Sequence, residues 1–157
     1  MPVVLICRER TEHRRREIFR CQHEPGVGGA SSIESGIAGW RVTGTTLSIP
    51  YFLALKAEAL YLADRTSEAL GTINEADAMA ERREERWCSA ELHRLRAVFL
   101  AALGADEAQI EASFQEAIRV AKEQKSVSLE KRAEATYAEY RRQKGSPPGG
   151  PGVRLPL

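Results

Sequence analysis

The sequence predicts an all-α protein, built from antiparallel helical hairpins stacked on one another. Three observations predict this class. The stretch 51–80 resembles the stretch 91–121, and self-similarity at a period of about forty residues is typical of stacked helical repeats. Alanine, glutamate, arginine and leucine dominate while aromatic residues are only 6%, which favours helix over strand. The segments with helical periodicity are joined by short links, which favour antiparallel neighbours.

Composition bounds the classes of function. With 157 residues, 43% hydrophobic and 29% charged, the chain has the balance of one ordinary globular domain. Its formal net charge of +1 provides no global field toward nucleic acid or an anionic membrane. No apolar run approaches the roughly twenty residues that span a bilayer. Three cysteines without framework spacing, and no secretory signal, predict a cytoplasmic protein.

The chain divides into three zones. Residues 1–30 form an irregular segment that could be partly disordered, and residues 31–144 form the helical repeat domain. Residues 145–157 are rich in proline and glycine. Proline removes backbone donors and glycine adds backbone entropy, so we expect this tail to be flexible or extended.

Six helices are expected in the repeat domain. Ser31 or Ser32 can cap the first, and Pro50 suits the first turn of the second. Gly104 and Gly145 stop the fourth and sixth. The expected ranges are 31–41, 50–63, 66–82, 85–103, 106–124 and 128–144.

Small residues recur where two helices of a hairpin must approach closely. They are Ala57, Ala69 and Ala76 in the first unit, and Ala97 and Ala117 in the second. This pattern resembles the tetratricopeptide repeat (TPR), and the resemblance implies a short right-handed solenoid. Two positions depart from the repeat: Ile110 occupies a small-residue position, and Asp64 stands where the turn glycine is usual.

Three short segments of the sequence resemble a more specific group of proteins. The segments 39–45, 50–55 and 85–96 are similar to the C-terminal TPR region of large bacterial ATPase or adenylate-cyclase-type signalling and transcriptional regulators. The upstream modules of that family are missing here, so their activities do not carry over. The resemblance implies a non-catalytic protein–protein interaction module, either a stand-alone relative or a fragment of such a regulator.

The resemblance also implies where a partner binds, because the first helix of each TPR pair lines the concave groove. Tyrosines and arginines in such a groove suit a protein or peptide partner, although the same side chains could simply be solvated. Few units leave apolar edges, so we also expect a homo-oligomer as one form. The expected groove residues are Tyr51, Glu58, Tyr61, Glu91, Arg94, Arg132 and Arg142.

The main alternative is a regulatory protein that contacts nucleic acid through its Arg-rich N-terminal segment. Arg14, Arg15 and Arg16 lead this basic patch, but interleaved glutamates are more typical of a solvated helix face. The glycine-rich stretch 25–32 resembles a phosphate loop only in part, because the lysine that would reach the phosphates is missing.

No catalytic, metal or cofactor site is expected. Cys7, His13, Cys21 and His23 lack the spacing of zinc ligands. Cys88 and His93 are expected to pack within the fold, since neither has a recognisable catalytic partner. Trp40 and Trp87 are expected to anchor the core or the contacts between units.

Overall fold

The computed structural model describes residues 27–42, 48–145, 155 and 157, and within them the chain is helical with no strand. The prediction of an all-helical chain is confirmed. A short 3-10 turn, Arg86–Cys88, precedes the fourth helix. The helices are α1 Val27–Val42, α2 Ile49–Leu62, α3 Thr66–Arg82, α4 Ser89–Ala102, α5 Glu107–Glu123 and α6 Val127–Lys144.

The observed bounds follow the expected ones closely, apart from the starts of α1 and of α4, which begins at Ser89 and not at residue 85. Helix α1 begins at Val27, so residues 27–30 are helical although the sequence placed them in the irregular segment. Ser31 and Ser32 consequently lie inside the helix and do not cap it. Glycine disfavours a helix by only about 1 kcal/mol per residue, which the burial of Ile33 and Ile37 can offset.

Four turns between helices share one backbone conformation and hydrogen-bonding pattern. In each, one residue adopts the left-handed conformation, and the amide of the next residue donates to a carbonyl five positions back, as Arg65 does to Leu60 at 2.9 Å. This is the Schellman pattern, which satisfies the last carbonyls of a helix. The left-handed residues recur every twenty or twenty-one positions: Asp64, Glu84, Gly104 and Lys125.

Each helix packs against the helix before and after it in the chain, and two further contacts link alternate helices, α2 with α4 and α4 with α6. The links between consecutive helices from α2 to α6 are only three to six residues long, so those helices must reverse direction. Helices α2, α4 and α6 therefore run in the same sense, side by side.

The core is centred on α4. Leu92, Leu95, Val98 and Phe99 on this helix are fully buried. The five alanines that the repeat pattern singled out have no exposed surface at all. They allow the close helix approach that the sequence predicted, and the remaining space is filled by larger side chains such as Phe114, whose ring lies 5.2 Å from that of Tyr137 on α6.

In each hairpin, a hydrogen bond also joins the start of the first helix to the end of the second. The amide of Ser48, just before α2, donates to Oε2 of Glu85 at 3.0 Å, and Glu85 follows α3. The side-chain amide of Gln124, after α5, donates to the carbonyl of Arg86 before α4. A hydrogen bond thus joins the start and the end of both hairpins.

Beyond Gly145, two residues are described. Leu155 is buried, with 4% of its surface exposed, and belongs to the hydrophobic core cluster; Leu157 is partly buried against it. Residues 146–154 lie outside the described part of the chain, so the expected flexibility of the tail stays a prediction. No described helix has the combination of length and apolar character that crossing a bilayer requires.

Candidate binding face

A fully buried ion pair lies at the centre of the alternate helices. The guanidinium of Arg94 donates from Nε to Oε2 of Glu91 at 3.0 Å and from Nη2 to Oε1 at 2.8 Å. The two residues are three apart on α4, so helical geometry places them one above the other. Only 1% of the Arg94 side chain and 11% of the Glu91 side chain are exposed. A bidentate pair of hydrogen bonds of this kind holds the guanidinium and the carboxylate in one relative orientation.

Helix α6 completes this arrangement from the other side. Nη1 of Arg132 lies 3.2 Å from Oε1 of Glu91, and Nη1 of Arg94 donates to Oγ1 of Thr136 at 3.4 Å. The Thr136 hydroxyl in turn donates to the carbonyl of Arg132 at 2.8 Å. The Glu91 carboxylate therefore receives two arginines, one from α4 and one from α6.

Helix α2 contributes a second carboxylate. Burial is the largest influence on Glu58 and raises its pKa; the negative charge of Glu91 raises it further, while Arg94 and Arg132 oppose the shift. Burial disfavours the charged form of an acid, so the net direction is upward. We call Glu58, Glu91, Arg94, Arg132 and Thr136 the polar cluster; it carries one residue from α2, two from α4 and two from α6.

The part of the polar cluster open to solvent is small. The Arg132 side chain is 46% exposed, whereas Arg94 and Thr136 are buried. Arg132 can therefore still offer guanidinium donors to a carboxylate or a backbone carbonyl of another molecule. Arg94 and Arg132 are both paired with Glu91.

Residues that follow Arg94 at helical spacing on α4 are also covered. Val98 is fully buried and Ala101 is 6% exposed; on α2, Ala54 is 3% exposed. The sequence placed Glu91 and Arg94 on a groove open to a partner, and the structure places both among buried groups instead. The physical reason is packing on both sides, since α2 and α6 both contact α4.

The two tyrosines assigned to the groove lie at opposite ends of α2. Tyr51 is exposed and its ring centroid lies 5.4 Å from that of Trp87, beside the start of α4. Tyr61 is partly buried, with its ring 5.2 Å from Phe99. Trp87 is half exposed, so it anchors contact between α2 and α4 at the surface, not in the core. The Trp40 side chain lies outside the described part of the structure, so its expected role stays a prediction.

Arg142 stands apart from the polar cluster. It forms a two-fold bond with Glu139 on its own helix, from Nε at 2.8 Å and Nη2 at 2.6 Å. Bonds from Arg142 and Gln143 lower the pKa of Glu139 to about 2. Of the seven expected groove residues, the structure thus brings together Glu58, Glu91, Arg94 and Arg132, and leaves Tyr51, Tyr61 and Arg142 at other levels of the stack.

Sequence reasoning missed Thr136 and the exposed partnership of Trp87 with Tyr51. Thr136 follows Arg132 by four residues, and this spacing places both on one face of α6. A search for polar residues four positions from each expected groove residue would have found it. For Trp87 the sequence signal was weak, because the residue lies in the turn before α4 and so has no regular position on a helix.

The other sites considered from sequence do not gather functional groups. Burial raises the pKa of the Cys88 thiol to about 11, so at neutral pH it is protonated and a poor nucleophile. His93 is partly buried on α4. It lies close enough to Glu116 on α5 for an electrostatic interaction. Residues 27–145, apart from 43–47, contain no group of three or more His, Cys, Asp or Glu placed to hold a metal ion. The zinc candidates and the Arg-rich patch lie outside the described residues.

A shallow polar cleft of about 480 Å³ lies between α1, α2 and α3. Its charges are used within the fold: Lys56 contacts Glu34 at 2.6 Å, and Arg65 contacts Glu68 at 2.6 Å.

Comparison with known proteins finds a relative that matches a large part of the chain. The chain is 29% identical over 118 residues to an uncharacterized protein of Rhizobium meliloti (strain 1021). The alignment covers 74% of this chain but only 12% of that protein. No protein-family model matches the chain, and no solved structure matches it.

Proposed function

We propose that the chain is a TPR-like protein-interaction module without catalytic activity. The observation that carries this proposal is the alignment of alternate helices, with α2, α4 and α6 side by side and the polar cluster crossing all three. Stacked hairpins present their first helices along one side, and extended binding surfaces of repeat proteins form in this way. Hairpins α2–α3 and α4–α5 are then two repeats, and α6 opens a third.

Two features of the backbone and core support a repeat. The left-handed turn residues recur at nearly equal spacing, and one hydrogen bond joins the start of each hairpin to its end, between Ser48 and Glu85 in one and between Arg86 and Gln124 in the other. The alanines at equivalent positions of both units are fully buried. Repetition of turn, fastening and small-residue contact in both units favours a right-handed solenoid of the TPR type over an unrelated bundle.

The relationship to a large regulator is part of the same proposal. The chain aligns with only 12% of the length of its relative in Rhizobium meliloti, so that relative has room for several other modules. The segments 39–45, 50–55 and 85–96 resemble the repeat region of bacterial signalling regulators. We therefore propose a cytoplasmic module that serves signalling, as a stand-alone relative or a fragment of such a regulator.

The polar cluster indicates the chemistry of a partner. Arg132 is the half-exposed cation of the cluster, and the buried Glu91 carboxylate orients it from below. A guanidinium held in this way can bind a carboxylate or two backbone carbonyls with defined geometry. The proposed partner is a peptide segment with an acidic group, or a backbone turn, close to Arg132.

A displayed peptide library tests this proposal. Peptides would be selected on the wild-type chain and then measured against two variants, Arg132→Gln and Arg119→Gln. Arg119 is a matched control because it also pairs with glutamates and is half exposed, but it lies on α5. We expect at least a ten-fold loss of affinity in the first variant and no change in the second. Equal losses in both variants, or no selectable peptide, would contradict the proposal.

A further inference from the structure

The centre of the polar cluster holds more positive than negative charge. Arg94 donates two hydrogen bonds to Glu91, and Nη1 of Arg132 lies 3.2 Å from Oε1 of the same carboxylate. Two guanidiniums therefore share one carboxylate, which leaves a surplus of one positive charge beside Arg132. Because Glu91 and Arg94 are buried, salt and water screen this surplus less than they screen a surface charge.

Glu58 on α2 is the second carboxylate of the cluster, and it is not bonded to the arginines. It is partly buried, yet no hydrogen bond or ion pair joins it to another residue in the described part of the chain. Burial is the largest influence on its pKa and raises it; Glu91 raises it further, while Arg94 and Arg132 lower it. A carboxylate in this position takes up a proton more readily than an ordinary glutamate does.

The charges on the other helices around α2 lie away from Glu58. Those between α1, α2 and α3 line the shallow cleft, and Glu58 is not part of its lining. Asp77 on α3 lies 3.8 Å from Arg96 on α4. The charges that act on Glu58 come instead from the members of the polar cluster on α4 and α6. The charged residues of the cleft are Glu34, Lys56, Arg65, Glu68 and Glu75.

An anionic group bound at Arg132 changes the charge balance around Glu58. It pairs with the surplus positive charge, but it also adds a negative charge to the cluster, and a nearby like charge disfavours the ionised form of an acid. The bound group therefore strengthens the binding of a proton to Glu58. Coupling between two binding events is reciprocal, so a proton on Glu58 strengthens the binding of the anionic group by the same factor.

We infer that an anionic group of a partner binds at Arg132 together with a proton on Glu58, so that this face binds acidic partners more tightly as the solution becomes more acidic. The inference rests on the proposed function and states how that site is regulated. Affinity is highest where Glu58 is already protonated in the free chain, and it falls as rising pH removes that proton. Like charges at this range near a protein surface interact strongly enough to change affinity by about five-fold.

The test uses a library-selected peptide that lacks histidine and carries an aspartate or glutamate whose replacement by the amide weakens binding. Its affinity for the full chain is measured by titration calorimetry between pH 5 and pH 8, where ordinary carboxylates are mostly charged. We expect the wild type to lose about five-fold in affinity across this range. Glu58→Gln, which mimics the protonated acid, should bind at pH 8 as tightly as the wild type binds at pH 5.

Glu68→Gln on α3 is the matched control, and circular dichroism checks the fold of both variants. It also removes one carboxylate, but Glu68 is exposed, bonds Arg65 at 2.6 and 2.7 Å, and lines the cleft, which contains no member of the polar cluster. Its bonds with Arg65 lower the pKa of Glu68, so this group stays charged throughout the range. The control should therefore keep the wild-type decline in affinity with pH.

Calorimetry also measures the proton itself. Titrations at pH 6 in two buffers with different ionisation enthalpies give the number of protons taken up when the peptide binds. We expect proton uptake by the wild type and by Glu68→Gln, and its loss in Glu58→Gln. A purely structural role of Glu58 would change the affinity without changing this number.

Several results would overturn the inference. A wild-type affinity that is constant between pH 5 and pH 8 does so without any variant. Proton uptake or pH dependence that persists unchanged in Glu58→Gln does so as well, and so do library binders in which no acidic residue contributes. If the binders still respond to Arg132→Gln, only this inference falls. If no library peptide binds, the proposed function falls and this inference falls with it.

Discussion

Arg94 and Glu91 share two hydrogen bonds, 2.8 and 3.0 Å long, in the interior of a helical stack where the arginine has no exposed surface. A charge in such a place is expensive unless its partner is fixed, because desolvation opposes burial of either ion. Here the carboxylate is shared with Arg132 and the guanidinium with Thr136. The pair therefore links α4 to α6 and sets the register between them.

Breaking this pair should be strongly destabilising. In Arg94→Ala, the buried Glu91 carboxylate keeps only Arg132, and loss of one partner of a buried pair typically costs about 3 to 5 kcal/mol. We expect that loss in urea unfolding monitored by circular dichroism. Arg119→Ala is the control, because its pair with Glu116 is exposed and such pairs contribute little. Similar losses in both variants would show that burial does not set the strength of the Arg94 pair.

Glu58 predicts the pH dependence of stability. Its pKa is raised in the folded state, mainly by burial, so the folded chain holds this proton at pH values where the unfolded chain releases it. Stability then falls as pH rises from the ordinary glutamate range through the raised pKa of Glu58. We expect Glu58→Gln to raise the melting temperature at pH 7 and to change it much less at pH 4. A variant that is less stable than wild type at pH 7 would contradict this account.

Substitutions at the left-handed turn residues test the Schellman pattern that the four turns share. Lys125 has a φ of 53° and Gly104 a φ of 68°; the left-handed region costs an ordinary residue about 1 to 2 kcal/mol. Lys125→Gly should therefore stabilise by up to about 1 kcal/mol, after its greater unfolded-state entropy is subtracted. Gly104→Ala should destabilise by a similar amount, although a Cβ there has open space around it. Thermal unfolding measures both, and opposite signs would refute the assignment.

The small residues between helices predict a cost of enlargement. Ala97 is fully buried on α4, and added methylenes in a close-packed contact typically cost about 1 to 3 kcal/mol. Ala97→Leu should lose stability in that range by chemical denaturation. Ala112→Leu is the matched control, since Ala112 is exposed on α5 and should tolerate the same change. If Ala97→Leu is tolerated as well as the control, the helices are not in close contact there.

Much of the fold could be predicted from sequence because its determinants are local and periodic. The bounds of α2 to α6 follow from apolar spacing and from turn residues such as Gly104. The helical start at Val27 could not be predicted, because glycine propensity argues against it and only packing of Ile33 and Ile37 outweighs that preference.

The candidate site was predicted only in part, for a related reason. The TPR register brought Glu58, Glu91, Arg94 and Arg132 to one side of the array, and the structure places them together. It could not predict that Arg94 is buried, because exposure depends on how closely α2 and α6 flank α4. It could not find the return of Leu155 to the core either, since a Pro/Gly-rich segment carries no periodic signal.

The central claim is that helices α2, α4 and α6 together form the face that binds a partner. Amide chemical shifts of the isotope-labelled chain, recorded while a library-selected peptide is added, test it most directly. The account predicts the largest shift changes in 49–62, 89–102 and 127–144, with Arg132 among the affected residues. Changes confined to 66–82 and 107–123, the second helices of the hairpins, would contradict it.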